Sequence, residues 1–259
     1  MRKKKRVEKD KVTLIVYLVL RGLVILSMIL QGFHGNWNNV FLCILTLILF
    51  TLPDLVSNKL EIKFPSTFEI AVYVFIFSAE ILGEIQNFYE LFPHWDTILH
   101  TLNGFLAAAF GFSLVDILNK NDNNIDMTPA FMAVVAFCFS MTIGVLWEFA
   151  EFTVDQYLGK DMQKDRIVNK INSQKIDPKK KDEIIKIDNI DKTIIYSNNN
   201  KNVTIIENGY LEIGLIDTIK DLFVNFIGAV IFCGVGYLYI MNGFPFAEKF
   251  IPKLKSKLE

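Results

Sequence analysis

Six long apolar runs constrain this chain more than any other feature, because about 20 consecutive apolar residues in a helix can cross the hydrocarbon core of a bilayer. The runs comprise residues 12–33, 40–52, 68–85, 97–118, 130–158 and 217–241. The second run reaches the required length only with its flanks from Trp37 to Val56, so its ends are the least defined. The sequence therefore predicts an all-α fold, a polytopic membrane bundle of about six transmembrane helices.

The composition agrees with a membrane protein whose charges are segregated outside the bilayer. Hydrophobic residues make up 52% of the chain and charged residues 21%, with a mean hydropathy of +0.34. This is too apolar for an ordinary soluble domain and too charged for a chain that faces lipid throughout. The formal net charge of −1 argues against a nucleic-acid partner. The lipid bilayer is the expected environment.

The three cysteines, Cys43, Cys138 and Cys233, each lie within an apolar run and form no C-x-x-C pair. This pattern excludes a disulfide framework and a cysteine zinc site.

Lys and Arg in the short loops predict the orientation, because they mark the cytoplasmic side. Residues 1–11 carry seven of them, whereas segments 34–39 and 86–95 carry none. This pattern predicts a protein of the cell (plasma) membrane with both termini cytoplasmic. The first run resembles a signal peptide, but its length and the lack of an A-x-A site favour a retained span. The expected division is a basic N-terminus (1–11), helices one to five (12–158), a polar external loop (159–216), helix six (217–241) and a basic amphipathic tail (242–259).

The loop 159–216 carries eleven Lys or Arg and nine Asp or Glu. An external position conflicts with the positive-inside pattern, although long loops are translocated largely regardless of charge. Within the loop, residues 193–197 and 203–207 alternate in a way that predicts a β-hairpin. Gly159 is expected to end the fifth helix in a left-handed conformation.

The tail from Phe246 to Leu258 combines apolar residues with four lysines. This composition predicts an interfacial amphipathic helix on an anionic leaflet. Anionic lipid is therefore an expected partner at the basic ends of the chain.

Polar residues interrupt four of the runs. A charged side chain within a span is costly, about 2.5–3.5 kcal/mol near the helix centre, so such residues are functional candidates. Within each helix they are spaced by three or four and so share one face. Counting about 1.5 Å per residue from the cytoplasmic ends puts all four sets at the outer edge of the hydrocarbon layer. Gly104, Gly144 and Gly228 continue these faces and permit close helix packing, so the polar groups are expected between helices. They are Glu80 and Glu84 of the third helix, Asp96, His100 and Asn103 of the fourth, Glu148, Glu151 and Asp155 of the fifth, and Asp217, Asp221 and Asn225 of the sixth.

Clustered carboxylates cannot all ionise in a partly dry site, so a divalent metal ion or a retained proton is expected there. Oxygen ligands with one imidazole leave Mg²⁺, Mn²⁺, Ca²⁺ and Zn²⁺ open. His100 and Glu148 are the candidate catalytic residues, and Asn103 and Asn225 the candidate substrate-binding residues. The candidate metal ligands are Asp96, His100, Glu148, Glu151 and Asp221.

A structural interpretation stands beside the functional one, because carboxylates at the water end of a span can simply be solvated. Asp217 opens the sixth helix, where a carboxylate suits the cap and the dipole. Glu148 and Glu151 lie toward the C-terminal end of their helix and gain nothing from its dipole. A structural role is favoured for Asp155 and Asp217, whereas Glu80 and Glu84 fit both interpretations.

Three motifs follow one another in the chain: Asp96-x-x-x-His100-x-x-x-Gly104, Trp147-Glu148-x-x-Glu151 and Asp217-x-x-x-Asp221-x-x-x-Asn225-x-x-Gly228. Their order resembles that of the YjdF-like family of bacterial inner-membrane proteins, and more distantly that of VanZ-like proteins. The resemblance covers about residues 68–241 and implies a multi-pass membrane protein without an assigned activity.

Three functions are compatible with these residues. The first is an enzyme with a carboxylate and His site that acts on a lipid-linked or headgroup substrate, with a metal-activated water. The second is an ion or small-molecule transporter that uses the same carboxylates. The third is a non-catalytic membrane scaffold whose polar groups hold the helices together.

Overall fold

The computed structural model describes residues 10–121, 126–179 and 183–255. This part of the chain is mostly helical, which confirms the predicted polytopic helical bundle. Its helices are α1 (Lys11–Phe33), α2 (Trp37–Leu49), α3 (Leu52–Lys59), α4 (Ser66–Phe77), α5 (Phe88–Leu91), α6 (Trp95–Asn121), α7 (Pro129–Leu158) and α8 (Leu215–Asn242).

Within the described residues, five helical segments have the length and composition to cross a membrane. They are Lys11–Phe33, Trp37–Lys59, Trp95–Lys120, Pro129–Leu158 and Leu215–Asn242. These segments match the first, second, fourth, fifth and sixth predicted runs, with ends that differ by a few residues. The second one consists of α2 and α3, which are separated at Phe50 and Thr51.

The third predicted run, residues 68–85, has a different structure from the other five. Its first part is α4, and the helix then continues as a π-helix over Ser78–Ile85. The continuous helical segment 66–85 carries Glu69, Glu80 and Glu84 and is not one of the five candidate spans. Its 20 residues would measure about 30 Å as a regular α-helix, which is still the thickness of a hydrocarbon core.

The chain divides into two compact units. The first comprises the described residues up to Val145 and from Asp221 onward, and the second comprises Leu146–Lys220. One core of the first unit forms around Phe68, Phe112, Met132 and Phe232, all buried. A second core joins α1, α2 and α4 through side chains that include Val24, Cys43 and Tyr73.

Glycines bring α6 and α8 into backbone contact within the first unit. A Cβ atom added at Gly228 would lie 1.9 Å from the Thr101 carbonyl oxygen, and one at Gly104 would lie 2.0 Å from the Asn225 carbonyl oxygen. The hydroxyl of Ser140 on α7 donates to the Gly104 carbonyl oxygen at 2.8 Å. The small residues therefore permit close helix packing, as their positions predicted.

The C-terminal tail does not form the predicted amphipathic helix. A short 3₁₀ turn, Ala247–Lys249, is followed by strand β8 (Lys253–Leu254), which pairs antiparallel with β1 (Ile62–Lys63). Ile251 is 1% exposed and belongs to the core. Pro252 also disfavours a helix, because the residue before a proline is pushed out of the helical region. Residues 256–258 of the predicted helix lie outside the described residues.

The second unit contains short antiparallel strand pairs between the ends of α7 and α8. The strands are β2 (Arg166–Val168) with β7 (Tyr210–Glu212), β3 (Ile171–Ser173) with β4 (Ile185–Ile187), and β5 (Lys192–Ser197) with β6 (Asn202–Glu207).

The β5–β6 pair is the predicted hairpin, each strand being one residue longer than expected. Its register places Thr193 opposite Ile206. The hairpin loop holds Asn198, Asn199 and Asn200 at positive φ, a conformation that asparagine tolerates better than most residues. Gly159 has φ +61° directly after α7, which confirms the predicted left-handed cap.

Candidate functional site

Asp96, His100 and Asp221 form a cluster in the first unit. The His100 Nε2 atom lies 3.4 Å from an Asp96 carboxylate oxygen and 3.9 Å from an Asp221 carboxylate oxygen. Within the described residues, this is the one group of three or more His, Cys, Asp or Glu side chains whose potential ligand atoms all lie within 4.8 Å of one another. Three residues predicted as metal ligands are thus close together.

The helices explain how these side chains meet. Asp96 is in the first turn of α6, where a carboxylate interacts favourably with the helix dipole. His100 follows one turn later on the same face. Asp221 reaches this pair from α8, whose backbone approaches α6 closely at Gly104 and Gly228.

Burial of the cluster is graded. The Asp96 side chain is 22% exposed, whereas those of His100 and Asp221 are 10% and 2% exposed. Asp96 is thus the member most open to the surroundings, and Asp221 is the deepest. Burial of this kind disfavours charge that has no compensation.

Asn225 and Asn103 lie one turn further along the same helices. The Asn103 amide donates to the Asn225 side-chain oxygen at 3.0 Å. Asn225 is fully buried, and its amide nitrogen lies 3.7 Å from the Met141 sulfur and beside Gly144. The Asn225 amide thus contacts both α6 and α7, and the predicted contact of Asn103 and Asn225 with substrate stays a prediction.

Glu148 and Glu151 belong to the second unit. Both are buried, at 4% and 7% exposure. The indole nitrogen of Trp147 donates to a Glu151 carboxylate oxygen at 2.7 Å, one helical turn along α7. This bond orients one oxygen of Glu151. The roles of Glu148 as a base and of both residues as metal ligands stay predictions.

Asp155 and Asp217 organise the second unit. The Asp155 carboxylate accepts hydrogen bonds from the backbone N–H groups of Met162 and Gln163, at 2.7 and 2.8 Å. The Asp217 carboxylate accepts from the Lys164 backbone N–H at 3.0 Å and pairs with Arg166 at 3.2 Å. These contacts support the structural role favoured for both residues from the sequence.

Glu80 and Glu84 lie on the π-helix and do not belong to the Asp96–His100–Asp221 cluster. Glu80 is half-buried and Glu84 is exposed.

Two contacts of the cluster's neighbourhood were not predicted. Ser140 contributes its hydroxyl to the α6 backbone, and Met141 contacts Asn225. The sequence contains a signal for the Ser140 contact, because Ser140 and Gly144 form a small-x-x-x-small pair on α7. The Met141 contact had no such signal, since a methionine in an apolar run is compatible with any packing position.

Carboxylate oxygens and an imidazole nitrogen are ligand types that divalent cations accept in proteins. Ions bound at about 2.0–2.2 Å hold neighbouring ligand atoms about 3–3.5 Å apart. The distances from His100 to the two carboxylates, 3.4 and 3.9 Å, are close to that range. Asp96, His100 and Asp221 are therefore the residues that could hold an ion, and the binding of one stays a prediction.

The fold defines the protein as a polytopic helical membrane protein. The chain belongs to the family described as "Predicted membrane protein (DUF2238)", whose model matches residues 13–242. It is 37% identical over 83 residues to an uncharacterised protein of Thermotoga maritima. That match covers 32% of this chain and 41% of the relative, so the chain spans about two fifths of the relative's length. No solved structure matches.

Proposed function

We propose that this protein is a plasma-membrane enzyme that binds a divalent cation at Asp96, His100 and Asp221 and acts on a lipid-linked or headgroup substrate. The observation that carries the proposal is the approach of these three side chains within 4.8 Å of one another at a largely buried position. The resemblance to YjdF-like and VanZ-like proteins, with the same order of Asp/His and Asp/Asn motifs, supports the assignment to a bacterial membrane.

Charge compensation supports a cation in preference to an empty polar cluster. Asp221 has a side chain only 2% exposed, and Asp96 and Asp221 both lie near the same imidazole. Two carboxylates in such surroundings are stabilised in their charged form by a divalent ion. The neutral imidazole of His100 then serves as the nitrogen ligand, or as a base beside an ion held by the carboxylates.

A divalent ion at this position would supply a bound water of lowered pKa, which is the nucleophile of many hydrolytic reactions. Asp96 and Asp221 would hold the ion, and the exposed side of Asp96 is where a substrate would enter. The phosphate or ester group of a lipid headgroup suits this chemistry, because the cluster lies near one end of α6 and not at its middle.

The strand pair β1–β8 supports a topology in which both termini lie on the same side of the membrane, and the Lys and Arg pattern makes that side the cytoplasm. It joins the segment after α3 to the segment after α8, so both segments lie on one side of the membrane. The number of crossings between them must then be even. Three candidate spans lie between them, and a crossing by the helical segment 66–85 would supply the fourth.

Substitution of His100 tests whether the cluster binds a divalent cation. Wild-type protein in detergent, stripped with chelator and reloaded, is expected to retain about one divalent ion per chain, and its melting temperature is expected to rise by mass action. His100→Gln should lose most of both effects. His34→Gln is the matched control, since His34 is exposed in the turn after α1. Equal ion retention by both variants would refute the cation site.

The reaction is tested separately, by mass spectrometry of lipids from membranes that contain wild-type protein or His100→Gln. An enzyme is expected to produce a changed headgroup population in wild type alone. Ion-dependent flux into proteoliposomes, without any changed lipid, would identify a transporter instead. Loss of stability in His100→Gln, without any effect on ions, lipids or flux, would identify a scaffold.

A further inference from the structure

A pocket lies at the opposite end of α6 from His100. It has a volume of about 210 Å³ and is lined by Asp116 and Lys120 of α6, Tyr239 of α8 and the tail residues Pro252 and Lys253, among others. Asp116 follows His100 by 16 residues, which corresponds to roughly 24 Å along a helix. The pocket is therefore independent of the Asp96–His100–Asp221 cluster.

The deepest polar group of this pocket is the Asp116 carboxylate. Its side chain is 6% exposed, and one oxygen lies 2.6 Å from the Lys120 ammonium. The other oxygen is buried and has no hydrogen-bond partner among the residues that the structure describes. A buried carboxylate oxygen calls for a donor. A donor on a ligand in this pocket would supply the missing hydrogen bond once the Asp116 side chain turns toward it.

Two lysine side chains lie at the outer part of the same pocket. The Lys120 and Lys253 side chains are 48% and 49% exposed. The Lys120 ammonium also lies 5.6 Å from the centre of the Tyr239 ring. Lys253 pairs with the exposed Glu248 at 3.4 Å, and such surface pairs are weak enough to be exchanged for another anion.

The complementary ligand carries a hydrogen-bond donor at one end and an anion at the other. A primary ammonium would donate to the second oxygen of Asp116, while a phosphate a few ångströms away would lie near Lys120 and Lys253. The rings of Tyr239 and Pro252 form an apolar wall of the pocket. The methylene groups that join the ammonium to the phosphate would pack against this wall. The volume is below the roughly 300–1,000 Å³ of sites for drug-sized ligands, so it suits a headgroup and not a whole lipid.

The position of the pocket is also that of lipid headgroups. Lys120 is the last residue of the candidate span 95–120, and Tyr239 is near the end of the span formed by α8. Tyr and Lys at the ends of spans lie at the membrane–water interface. We propose that this pocket binds the phosphoethanolamine group of a phospholipid.

The test compares headgroups on wild-type protein by native mass spectrometry. Phosphatidylethanolamine and phosphatidylcholine with identical acyl chains are titrated, because a trimethylammonium group cannot donate a hydrogen bond to Asp116. The expected preference for phosphatidylethanolamine is at least tenfold. Equal binding of the two lipids, or binding of neither, overturns the proposal without the need for any variant.

Two variants test whether the preference for phosphatidylethanolamine arises in this pocket. Asp116→Asn is expected to reduce it to less than twofold, whereas Lys253→Gln should weaken both lipids by about threefold and leave the preference unchanged. Asp191→Asn, an exposed position in the second unit, is the matched control for loss of one carboxylate. A tenfold preference that survives in folded Asp116→Asn would overturn the assignment to this pocket.

Free phosphoethanolamine distinguishes the membrane lipid from a soluble ligand. Displacement of the lipid only at millimolar concentrations supports a lipid headgroup, and tighter binding of the free compound than of the lipid overturns that source. Phosphocholine serves as the inactive competitor in both cases.

Discussion

The Asn225 side chain holds three helices together by polar contacts inside an apolar core. It accepts a hydrogen bond from Asn103 at 3.0 Å and is fully buried. We expect Asn225→Ala to lower the free energy of unfolding by about 1–3 kcal/mol, since it also leaves the Asn103 amide without this acceptor. Reversible unfolding in mixed micelles measures the effect.

A double-mutant cycle isolates this bond. The coupling between Asn103→Ala and Asn225→Ala is expected near 0.6 kcal/mol, the average for hydrogen bonds between membrane helices, with about 1.7 as an upper value. Thr142→Ala is the control, because Thr142 is exposed and donates to the Cys138 carbonyl of its own helix. Strict additivity of the two Asn substitutions would contradict a direct role for the bond.

Asp165 in the second unit gives a pH-dependent prediction. Desolvation raises its pKa above the ordinary value, and the charges of Asp161, Asp155 and Glu212 raise it further, against the opposing effect of Lys164. A raised folded-state pKa contributes stability below the unfolded pKa of about 3.9, and this stability is lost as pH rises through the folded pKa.

We therefore expect Asp165→Asn to be more stable than wild type at pH 7 and equal to it at about pH 3, where both side chains are neutral. Melting temperatures of the full chain across this pH range provide the measurement. Asp191→Asn controls for the loss of an exposed carboxylate. A larger advantage of Asp165→Asn at low pH than at pH 7 would show that the sign is wrong.

Contacts within one helix followed directly from the sequence, whereas contacts between helices could be predicted only in part. Asp96 and His100 lie one turn apart, and helical periodicity alone places them side by side. The proximity of Asp221 was predicted from the matching depth of the polar faces, but the sequence did not show that α6 and α8 meet through the Asn103–Asn225 hydrogen bond. An amide on a polar face fits substrate binding and helix packing equally well, so the predicted substrate role of Asn225 stays a prediction.

The packing of α6 against α8 depends on glycines that leave no room for a side chain. At Gly228 a Cβ atom would lie 1.9 Å from the Thr101 carbonyl oxygen, a backbone atom that cannot rotate away. We expect Gly228→Ala to force the helices apart and to cost about 1–3 kcal/mol or more. Thermal unfolding of the purified protein measures this cost.

Gly234 on the same helix is the matched control, since a Cβ atom added there would meet nothing within 4 Å. Alanine has the higher helix propensity by about 1 kcal/mol. Gly234→Ala should consequently be neutral or stabilising. If both variants lost the same stability, helix packing at Gly228 would not explain the effect.

The hairpin and the tail differ in whether the local sequence pattern alone determines the secondary structure. Residues 192–207 fold as predicted, because alternating strands and an asparagine-rich loop specify a hairpin without help from the rest of the chain. The tail had apolar and basic residues at helical spacing, yet it pairs with β1. Its apolar Ile251 is buried in a core that the sequence could not reveal.

The topology of the whole molecule depends on the segment 66–85. Residues after α3 and residues after α8 pair as β1 and β8, and this pairing in the bilayer requires an even number of crossings between them. Within the described residues, three candidate spans lie between β1 and β8. If 66–85 also crosses, Lys59 and Asn199 are on opposite sides of the membrane. If it does not, the two residues are on the same side.

Labelling with a membrane-impermeant maleimide in intact cells distinguishes these two arrangements. We expect Asn199→Cys, at the tip of the β5–β6 hairpin, to react from outside, and Lys59→Cys, exposed at the end of α3, to react only after permeabilisation. Protein without the added cysteine corrects for Cys43, Cys138 and Cys233. Because β1 and β8 require an even number of crossings, the same accessibility at both positions would mean that 66–85 does not span the membrane and that the strand pair does not form in the bilayer.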